Sequence, residues 1–359
     1  MLAVTGPPDP VTIDGPRPAM PADVPEVVAL VDAAMRAGTG QTLLTDYPLV
    51  YDAANLRNVR ILRVAGELVA VVPVLPRDAV LGDRRIRVGI ISPTATAPAH
   101  QHRGYGSRCL ASAIEAMADA GCALSVLWTL VETFPFYEHA GFHPVPYQGD
   151  AITLGAGDAV AFPAAPGIEV GALDPADGAA LDAVRSLHDG EAGGQGIRRD
   201  ARETRALFAL PQMRTLVGRR DGLPVGYLVV SEAINKPGLI EAGGDPAAVT
   251  TLLRHVLAAL PADATVDAPL LRAPTVLADV LERAVPGRRR VVTDGMMVRI
   301  NDVEELLGRP APIELRRQDW AAALFGSHPA RPRAPVDGLA EQLGMRLQLT
   351  LPIPVLDRS

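Results

Sequence analysis

The sequence predicts two mixed α/β units in tandem, followed by a short C-terminal tail. Its length of 359 residues exceeds the usual domain of about 100–200 residues and fits two domains. A strand, a helix and paired strands recur in the same order after residue 167, which indicates an internal duplication. Between the two runs, residues 156–167 are rich in Gly, Ala and Pro, a composition typical of a linker.

The first unit, residues 1–155, contains both helical and strand-like patterns. Asp23 precedes apolar residues at helical spacing, so it can cap a helix that ends by Gly38. Residues 59–64 and 68–75 are rich in β-branched and aliphatic side chains, and the turn between them predicts a hairpin. The remaining expected elements are a strand at 85–97, a helix opened by the loop at 101–106, a strand at 123–128, a short amphipathic turn at 136–142 and a closing strand at 145–154.

The second unit, residues 168–301, repeats this order without obvious sequence identity to the first. Its closing strand is expected at residues 291–300. Asp302 can cap a helix that begins the tail, residues 302–359, whose apolar end is expected to pack on the two domains. The other expected elements are strands at 169–173, 214–219, 224–231, 239–241 and around 265, and helices at 175–187, 201–210, 246–260 and 318–325.

Composition and charge exclude several classes of protein. Apolar residues make up 48% of the chain, which can therefore bury a sizeable core. The net charge of -7 argues against a general polyanion binder, so no nucleic-acid partner is expected. No apolar run reaches the about 20 residues that span a bilayer, and residues 1–10 lack the features of a signal peptide. We therefore expect a cytoplasmic protein without a membrane partner. Cys109 and Cys122 lack metal-ligand spacing and are expected to be small buried residues, with no metal.

The strongest chemical signal is the loop between the strand at 85–97 and the following helix. It contains Gln101, Gly104 and Gly106, so backbone N–H groups at a helix N-terminus can meet an anion where no side chain intervenes. The loop has neither the GxxxxGK[ST] sequence of a P-loop nor the GxGxxG spacing of a Rossmann dinucleotide-binding site. Taken alone, the two glycines fit a pyrophosphate site and an ordinary tight turn equally well.

Three segments in family order resemble the GCN5-related N-acetyltransferase (GNAT) superfamily. Gln101, Gly104 and Gly106 are similar to its (Q/R)xxGx(G/A) signature. Residues 17–24 (RPAMPADV) look like its first strand and helix, and residues 136–142 (FYEHAGF) look like its FYExxGF segment. The duplicated layout and residues 296–303 resemble the tandem, Enhanced-intracellular-survival type, although the tail is too short for the further C-terminal domain of that type. The resemblance implies tandem GNAT folds, each with a mixed, mostly antiparallel sheet flanked by helices.

The resemblance also implies acetyl-CoA, or another acyl-CoA, as co-substrate. The pyrophosphate would be held by the loop, with charge from Arg103, and the pantetheine arm would pair with the main chain where two strands of the sheet splay. The cofactor-binding residues implied are Ala95, Thr96, Ala97, His102, Arg103, Gly104, Tyr105, Gly106 and Ser107.

Tyr137 matches the tyrosine that serves the family as acid for the departing thiolate; the alternative is a core aromatic with a satisfied hydroxyl. The base is less defined, because the strand at 85–97 contains no Glu. His100, Glu132 and the terminal carboxylate of Ser359 are candidates for the base; the alternative is an acceptor amine with a pKa near neutrality, which needs no dedicated base.

The second unit has no matching phosphate loop. Asp245 stands where the loop would be and would repel a pyrophosphate, so it is expected to cap a helix whose first residue is Pro246. This unit is therefore expected to wall the acceptor pocket. Asp189 and Glu191 could face a cationic acceptor, but a solvated loop accounts for them more simply.

These observations predict an N-acetyltransferase that moves an acetyl group to a primary amine by direct attack in a ternary complex. The acceptor is expected to be a small molecule or a peptide, and a homo-oligomer is possible. The alternative is a non-catalytic acyl-CoA-binding sensor or scaffold module.

Overall fold

The structure, a computed structural model, describes residues 12–146, 149–232, 238–271, 273–291 and 295–334, together with residues 336, 338, 339, 343 and 349. Within these residues it has sixteen β-strands and ten α-helices. The strands are β1 (Ile13–Pro18), β2 (Val59–Val64), β3 (Glu67–Leu81), β4 (Arg84–Ile91), β5 (Ala95–Thr96), β6 (Leu124–Trp128), β7 (His143–Pro144), β8 (Gly149–Gly155), β9 (Glu169–Ala172), β10 (Gly196–Ile197), β11 (Met213–Arg220), β12 (Leu223–Ser231), β13 (Gly238–Gly244), β14 (Thr265–Leu271), β15 (Arg290–Val291) and β16 (Met296–Ile300). The helices are α1 (Val24–Met35), α2 (Leu43–Asp46), α3 (Tyr105–Asp119), α4 (Phe134–Glu138), α5 (Gly178–Gly190), α6 (Ala201–Phe208), α7 (Pro246–Ala258), α8 (Val276–Ala284), α9 (Val303–Leu307) and α10 (Arg317–Phe325).

The main sheet has nine strands. Its order is β1-β2-β3-β4-β6-β16-β7, and β5 and β10 both pair with β3. The pairs are antiparallel except β4 and β6, which run parallel from Val88 opposite Leu124 to Ile91 opposite Leu127. The predicted fold class, a mixed and mostly antiparallel sheet flanked by helices, is confirmed.

Two smaller sheets are built from strands between residues 149 and 291. One has the order β13-β12-β11-β9 and the other β14-β8-β15. Helices α7 and α8 pack on them around a separate core that includes Leu252, Leu253 and Leu281.

Helices cover both faces of the main sheet because its strands alternate their side chains. On β2, Ile61 belongs to one core and Leu62 to the other; on β6 the same holds for Val126 and Leu127. Helices α3 and α4 pack on the Leu62 face. Helices α1 and α2 pack on the Ile61 face and share one continuous core with α5, α6 and α10 from the rest of the chain.

Helix α3 forms because its apolar residues recur at helical spacing. Cys109, Leu110, Ala113, Ala116 and Met117 are buried, and Gly121, with a φ of 70°, ends the helix region. Cys109 and Cys122 are free and buried, as predicted, and burial raises the pKa of each thiol to about 12.

Two strands exchange places relative to the prediction. β8, expected to close the first unit, pairs with β14 and β15. β16, expected to close the second unit, lies between β6 and β7 of the main sheet. Both segments are strands, as the sequence indicates, but their partners differ because an apolar strand pattern does not specify which edge it joins. Strand pairing therefore crosses the predicted division of the chain in both directions.

The predicted linker and the tail both pack on neighbouring elements. In the linker, Phe162 is fully buried beside α7. In the tail, Trp320, Leu324 and Phe325 of α10 are buried in the core that includes β16. None of the helices within the described residues has the length and apolar character that crossing a membrane requires.

The contact between β7 and the tail gives a pH-dependent stability. His143 is buried and its Nε2 lies 2.9 Å from Ser327 Oγ. Burial lowers the pKa of His143 to about 4. Below the usual histidine pKa, about 6.5, the unfolded chain therefore binds a proton that the folded chain does not. We expect the free energy of unfolding to fall by about 2 kcal/mol between pH 6.5 and pH 4.5.

Urea unfolding at several pH values measures this loss. His143→Gln, which keeps a polar group but does not titrate, should flatten the dependence. His328, whose pKa burial also lowers, leaves a residual slope in the same direction. An equal slope in the wild type and the variant would contradict the assignment to His143.

Candidate active site

A gap opens in the main sheet where β4 and β6 diverge. Their ladder ends at Ile91 and Leu127, and after a short break at residues 92–94 the chain continues in the same direction along β3 as β5. The Ala97 N–H donates to the carbonyl oxygen of Val69 at 2.8 Å. Since backbone groups alternate sides along a strand, the N–H and C=O of Thr96 point away from β3, toward the gap.

This pairing narrows the predicted main-chain contacts of a pantetheine arm. Ala95 and Ala97 turn their backbone groups to β3, so Thr96 is the one of the three that presents its backbone to the gap. In the structure, Gln101 Nε2 donates to the Thr96 carbonyl oxygen at 3.3 Å. The glutamine of the sequence signature therefore holds the rim of the gap.

The loop before α3 presents a row of backbone N–H groups. Gly104 is the N-cap with a φ of 79°, and no side chain caps the helix. The first intrahelical bond runs from Arg108 N–H to the Gly104 carbonyl oxygen at 3.0 Å. Within the described part of the chain, the N–H groups of residues 102–107 have no hydrogen-bond acceptor. Unpaired donors at the positive end of a helix dipole are suited to an anion.

The two glycines of the loop have different roles. A Cβ on Gly104 would meet no atom within 4 Å, so the space beside it is open to a ligand. A Cβ on Gly106 would lie 2.8 Å from Thr96 Oγ1, so this glycine lets α3 approach β5 closely. The open space at Gly104 is compatible with a pyrophosphate site and with an ordinary tight turn.

The other predicted loop residues lie around this row of donors. His102, Arg103 and Ser107 are exposed, and Tyr105 packs partly against the core. His100, a predicted base, has its Nε2 3.4 Å from Glu67 Oε2 and its ring centroid 6.0 Å from that of Tyr105. These contacts place the His100 ring between Glu67 and Tyr105.

Tyr137 lies on α4 beside the gap. It is 8% exposed, and its ring packs edge-to-face on Phe136 and Phe142 at centroid distances of 4.8 and 5.9 Å. Burial raises the pKa of Tyr137, while the hydroxyl of Thr94, in the short segment between β4 and β5, acts to lower it. The structure therefore brings the predicted acid to the point where the strands diverge.

For two of the predicted base candidates, the structure shows no contact with the other residues of the site. Glu132 is exposed on the turn before α4 and makes no hydrogen bond or ion pair with the described residues. Ser359 lies outside the described residues. Nor do the described residues contain a group of three His, Cys, Asp or Glu side chains placed to hold a metal ion.

The segment that carries Tyr137 is held by residues that sequence reasoning missed. Gln318 Nε2, on α10, donates to the carbonyl oxygens of Glu138 and Phe142 at 2.8 and 3.0 Å. Arg299 Nε, on β16, donates to the Ala140 carbonyl oxygen at 3.0 Å. No local sequence signal marks Gln318 or Arg299, because both contacts link positions far apart in the chain.

We expect Gln318→Glu to loosen this segment. The new carboxylate keeps the size of the side chain and its contact with Arg333, which lies 2.8 Å from Gln318 Oε1, but turns an acceptor toward two carbonyl oxygens. The free energy of unfolding should fall by about 2 kcal/mol in urea titrations. Arg316→Gln, which removes an exposed ion pair between the N-cap residue and Asp319 of the same helix, should cost much less. Equal effects would contradict the role of Gln318.

The corresponding place in the second unit is filled by a side chain of the protein. β13 and β14 belong to different sheets, and the Glu191 carboxylate joins the end of β13 to the start of α8. It accepts the Gly244 N–H at 3.1 Å and the Val276 N–H, at the start of α8, at 2.9 Å. Burial raises the pKa of Glu191. The prediction of a solvated loop at Glu191 is wrong, because this side chain is partly buried and accepts hydrogen bonds from two backbone N–H groups.

Asp245 caps α7, as predicted. Its side chain accepts the Ala247 N–H at 2.8 Å and pairs with Arg220 at 2.9 Å. The helix begins directly after β13, so no loop stands between strand and helix. Asp189 faces Arg198, with Oδ1 and Nη1 3.5 Å apart.

The second half of the chain is attached to the first at several points. β10 pairs with β3, and Gln195 exchanges two hydrogen bonds with the backbone of Gly82 at 2.6 and 2.8 Å. Gln212 Nε2 donates to Thr45 Oγ1 at 3.2 Å, and Arg202 pairs with Asp52 at 2.8 Å. The contacts with Thr45 and Asp52 hold the segment between α1 and β2 in place.

That segment reaches the end of β4. Asn55 Nδ2 donates to the Val74 carbonyl oxygen at 3.0 Å, and Val74 lies opposite Ile91, the last residue before the gap. Within the second half of the chain, Arg199 makes a buried two-point ion pair with Glu241 at 2.8 and 2.6 Å, and Tyr227 Oη donates to the same carboxylate at 2.7 Å. The segment that reaches the gap is thus held from the other side by the second half of the chain.

Comparison with known proteins agrees with this geometry. Residues 16–145 match the family model described as an acetyltransferase (GNAT) domain. No curated protein sequence matches the chain. A GCN5-related N-acetyltransferase from Kribbella flavida superposes with a TM-score of 0.62 at 16% identity, covering 83% of this chain and 74% of that one. A probable N-acyltransferase from Enterococcus faecalis gives 0.63 at 16% identity, with coverages of 83% and 74%.

Eis1 from Mycobacterium abscessus has a similar fold. Its TM-score is 0.55 at 14% identity, and the match covers 83% of this chain and 75% of Eis1. The resemblance to tandem acetyltransferases of the Enhanced-intracellular-survival type is therefore confirmed at the level of the fold. The match to the GNAT acetyltransferase model thus covers residues 16–145, and the fold of the chain as a whole is similar to those of known GCN5-related N-acetyltransferases.

Proposed function

We propose that the protein transfers an acyl group, most readily acetyl, from acyl-CoA to a primary amine by direct attack in a ternary complex. The observation that carries the proposal is the juxtaposition of three features at one gap. They are the unpaired N–H groups of residues 102–107, the Thr96 backbone turned to the opening, and the buried phenol of Tyr137.

The residues of the loop fit a CoA pyrophosphate. Its N–H groups face solvent at the positive end of the α3 dipole, and Gly104 leaves open space where a ligand would approach. Thr96 can exchange its Gln101 contact for the amides of a pantetheine arm. When bound, acyl-CoA supplies an activated thioester.

The chain's own groups then provide binding and a proton. Because burial raises the pKa of Tyr137, the phenol keeps its proton at neutral pH and can give it to a departing thiolate. Direct transfer is favoured over a covalent intermediate, because Cys109 and Cys122 are buried and have thiol pKa values of about 12.

The second half of the chain serves in this proposal as a wall of the acceptor pocket. Its contacts with Thr45 and Asp52 fix the segment beside the end of β4. The carboxylate of Glu191 and the cap at Asp245 stand where an anionic cofactor would bind, so the second unit holds no acyl-CoA. The net charge of -7 suits a cationic acceptor, either a small-molecule amine or a peptide amine.

Thiol release from acetyl-CoA in the presence of a panel of amines tests the proposal, alongside thermal unfolding with and without CoA. We expect CoA to raise the unfolding temperature and thiol release to depend on the amine. Stabilisation by CoA without release for any amine would contradict acyl transfer and favour a non-catalytic acyl-CoA-binding module. No stabilisation would contradict the cofactor site.

A further inference from the structure

Thr94 carries a buried hydroxyl that the proposed reaction does not yet use. It lies in the short segment between β4 and β5, where the sheet opens. Its Oγ1 is shielded from solvent and has no hydrogen-bond partner among the described residues. A buried hydroxyl without a partner loses its hydrogen bonds to water and gains nothing in return. Such a group at the centre of a site calls for a functional explanation.

The neighbour of this hydroxyl is the phenol of Tyr137. The two groups are close enough for Thr94 to act on the phenol, although they do not reach the geometry of a formed hydrogen bond. Burial and Thr94 are the two influences on the pKa of Tyr137, and no charged group of the described residues contributes. Around the phenol, Phe136 and Phe142 supply only aromatic surface.

Acid catalysis by Tyr137 creates a charge in this apolar place. As the amine nitrogen bonds to the acyl carbon, the C–S bond breaks and its electron pair goes to sulfur. The proton on Tyr137 Oη passes to that sulfur and leaves a phenolate. The proton released by the acceptor nitrogen restores the phenol by way of solvent. A phenolate flanked by two aromatic rings is costly unless a donor faces it.

We infer that the Thr94 hydroxyl donates a hydrogen bond to the Tyr137 phenolate as it forms, and is thus a positioning residue for the acid. The inference rests on the proposed function, because it assigns a role within acyl transfer. It explains why the hydroxyl is buried without a partner: its partner is a charge that exists only during the reaction. A hydrogen bond to a charged oxygen is stronger than one between neutral groups, so a single donor can stabilise the phenolate.

Thr94→Val and Thr94→Ser form a matched pair for the test. Valine keeps the branched shape and removes the hydroxyl, whereas serine keeps the hydroxyl. The first readout needs no substrate: tyrosinate absorbance is titrated in each variant and in the same variant carrying Tyr137→Phe, and the difference isolates Tyr137. We expect a higher pKa for Tyr137 in Thr94→Val than in the wild type, and the wild-type value in Thr94→Ser.

Turnover and stability provide further readouts. Thr94→Val should lower kcat about tenfold with KM for acetyl-CoA within about twofold of wild type, and Thr94→Ser should restore most of kcat. In a Tyr137→Phe background, Thr94→Val should have no further effect. Because valine buries no unpaired hydroxyl, Thr94→Val should unfold at the same temperature as the wild type or higher. If the Thr94 hydroxyl only stabilised the fold, Thr94→Val should unfold at a lower temperature than the wild type.

An unchanged pKa of Tyr137 in Thr94→Val would overturn the inference. So would a tenfold loss of kcat that persists in the Tyr137→Phe background. If the wild type turns over no amine, the proposed function fails, and the titration of Tyr137 still decides whether the Thr94 hydroxyl supports the phenolate.

Discussion

Gly104→Asp is expected to weaken CoA binding about 100-fold. The new carboxylate would stand in the open space beside the unpaired N–H groups of residues 102–107, where the pyrophosphate is proposed to bind. A negative charge about 5 Å from a phosphate costs about 3 kcal/mol at an effective dielectric constant of about 20, which corresponds to about 100-fold in affinity. Titration calorimetry with CoA measures the loss.

The matched control is Gly104→Asn. Aspartate and asparagine both tolerate the left-handed conformation that Gly104 adopts, with its φ of 79°, and they have nearly the same size. Asparagine should therefore reproduce the steric part of the effect without the charge and bind CoA more tightly than the aspartate variant. Both variants should unfold at similar temperatures without ligand. Unchanged affinity in Gly104→Asp would remove the pyrophosphate from this loop.

The parts of the site that lie close together in the chain could be predicted from sequence. Gln101, Gly104 and Gly106 stand within one loop, so a strand, a turn and a helix N-terminus suffice to place their backbone groups. Tyr137 could be placed because its aromatic segment follows a buried strand directly. In both cases the spacing along the chain determines the geometry.

The exchange of β8 and β16 could not be predicted. Residues 149–155 and 296–300 each have the pattern of a strand, and the pattern is satisfied by any edge that buries the same side chains. Which edge is chosen depends on the whole set of strands. The exchange also means that the two halves of the chain complete each other's sheets, so the wall of the proposed acceptor pocket folds together with the acid.

Single polar residues at long range were also beyond sequence reasoning. Glu191 follows a helix in a Gly-rich stretch, where a carboxylate is usually solvated, and only the fold brings Gly244 and Val276 to it. Thr94 looks like any β-branched residue near a strand end. Its significance depends on the phenol of Tyr137, which approaches from another element.

These long-range contacts define how the acid is held. Gln318 and Arg299 fix the backbone around α4 from the tail and from the exchanged strand, while Phe136 and Phe142 fix the ring of Tyr137. A side chain fixed on its backbone and on both ring edges has little freedom to lose when it meets a substrate. Its contribution to the reaction should therefore reside in the hydroxyl rather than in binding.

Tyr137→Phe tests that conclusion. The substitution removes one oxygen and keeps the edge-to-face contacts with Phe136 and Phe142. Loss of a general acid typically lowers the rate by about 100-fold or more, so we expect kcat to fall by that factor. The dissociation constant for CoA should stay within about twofold, because the proposed cofactor contacts lie on residues 95–97 and 102–107. Steady-state kinetics and calorimetry on the same preparation separate the two quantities.

Stability is the control for this prediction. Phenylalanine buries no hydroxyl beside Thr94, so the variant should unfold at the same temperature as the wild type or slightly higher. A parallel loss of kcat, CoA affinity and stability would indicate that Tyr137 acts through packing. Undiminished kcat would show that the departing thiolate takes its proton from another donor, and Tyr137 would then be a core aromatic residue whose hydroxyl happens to border the gap between β4 and β6.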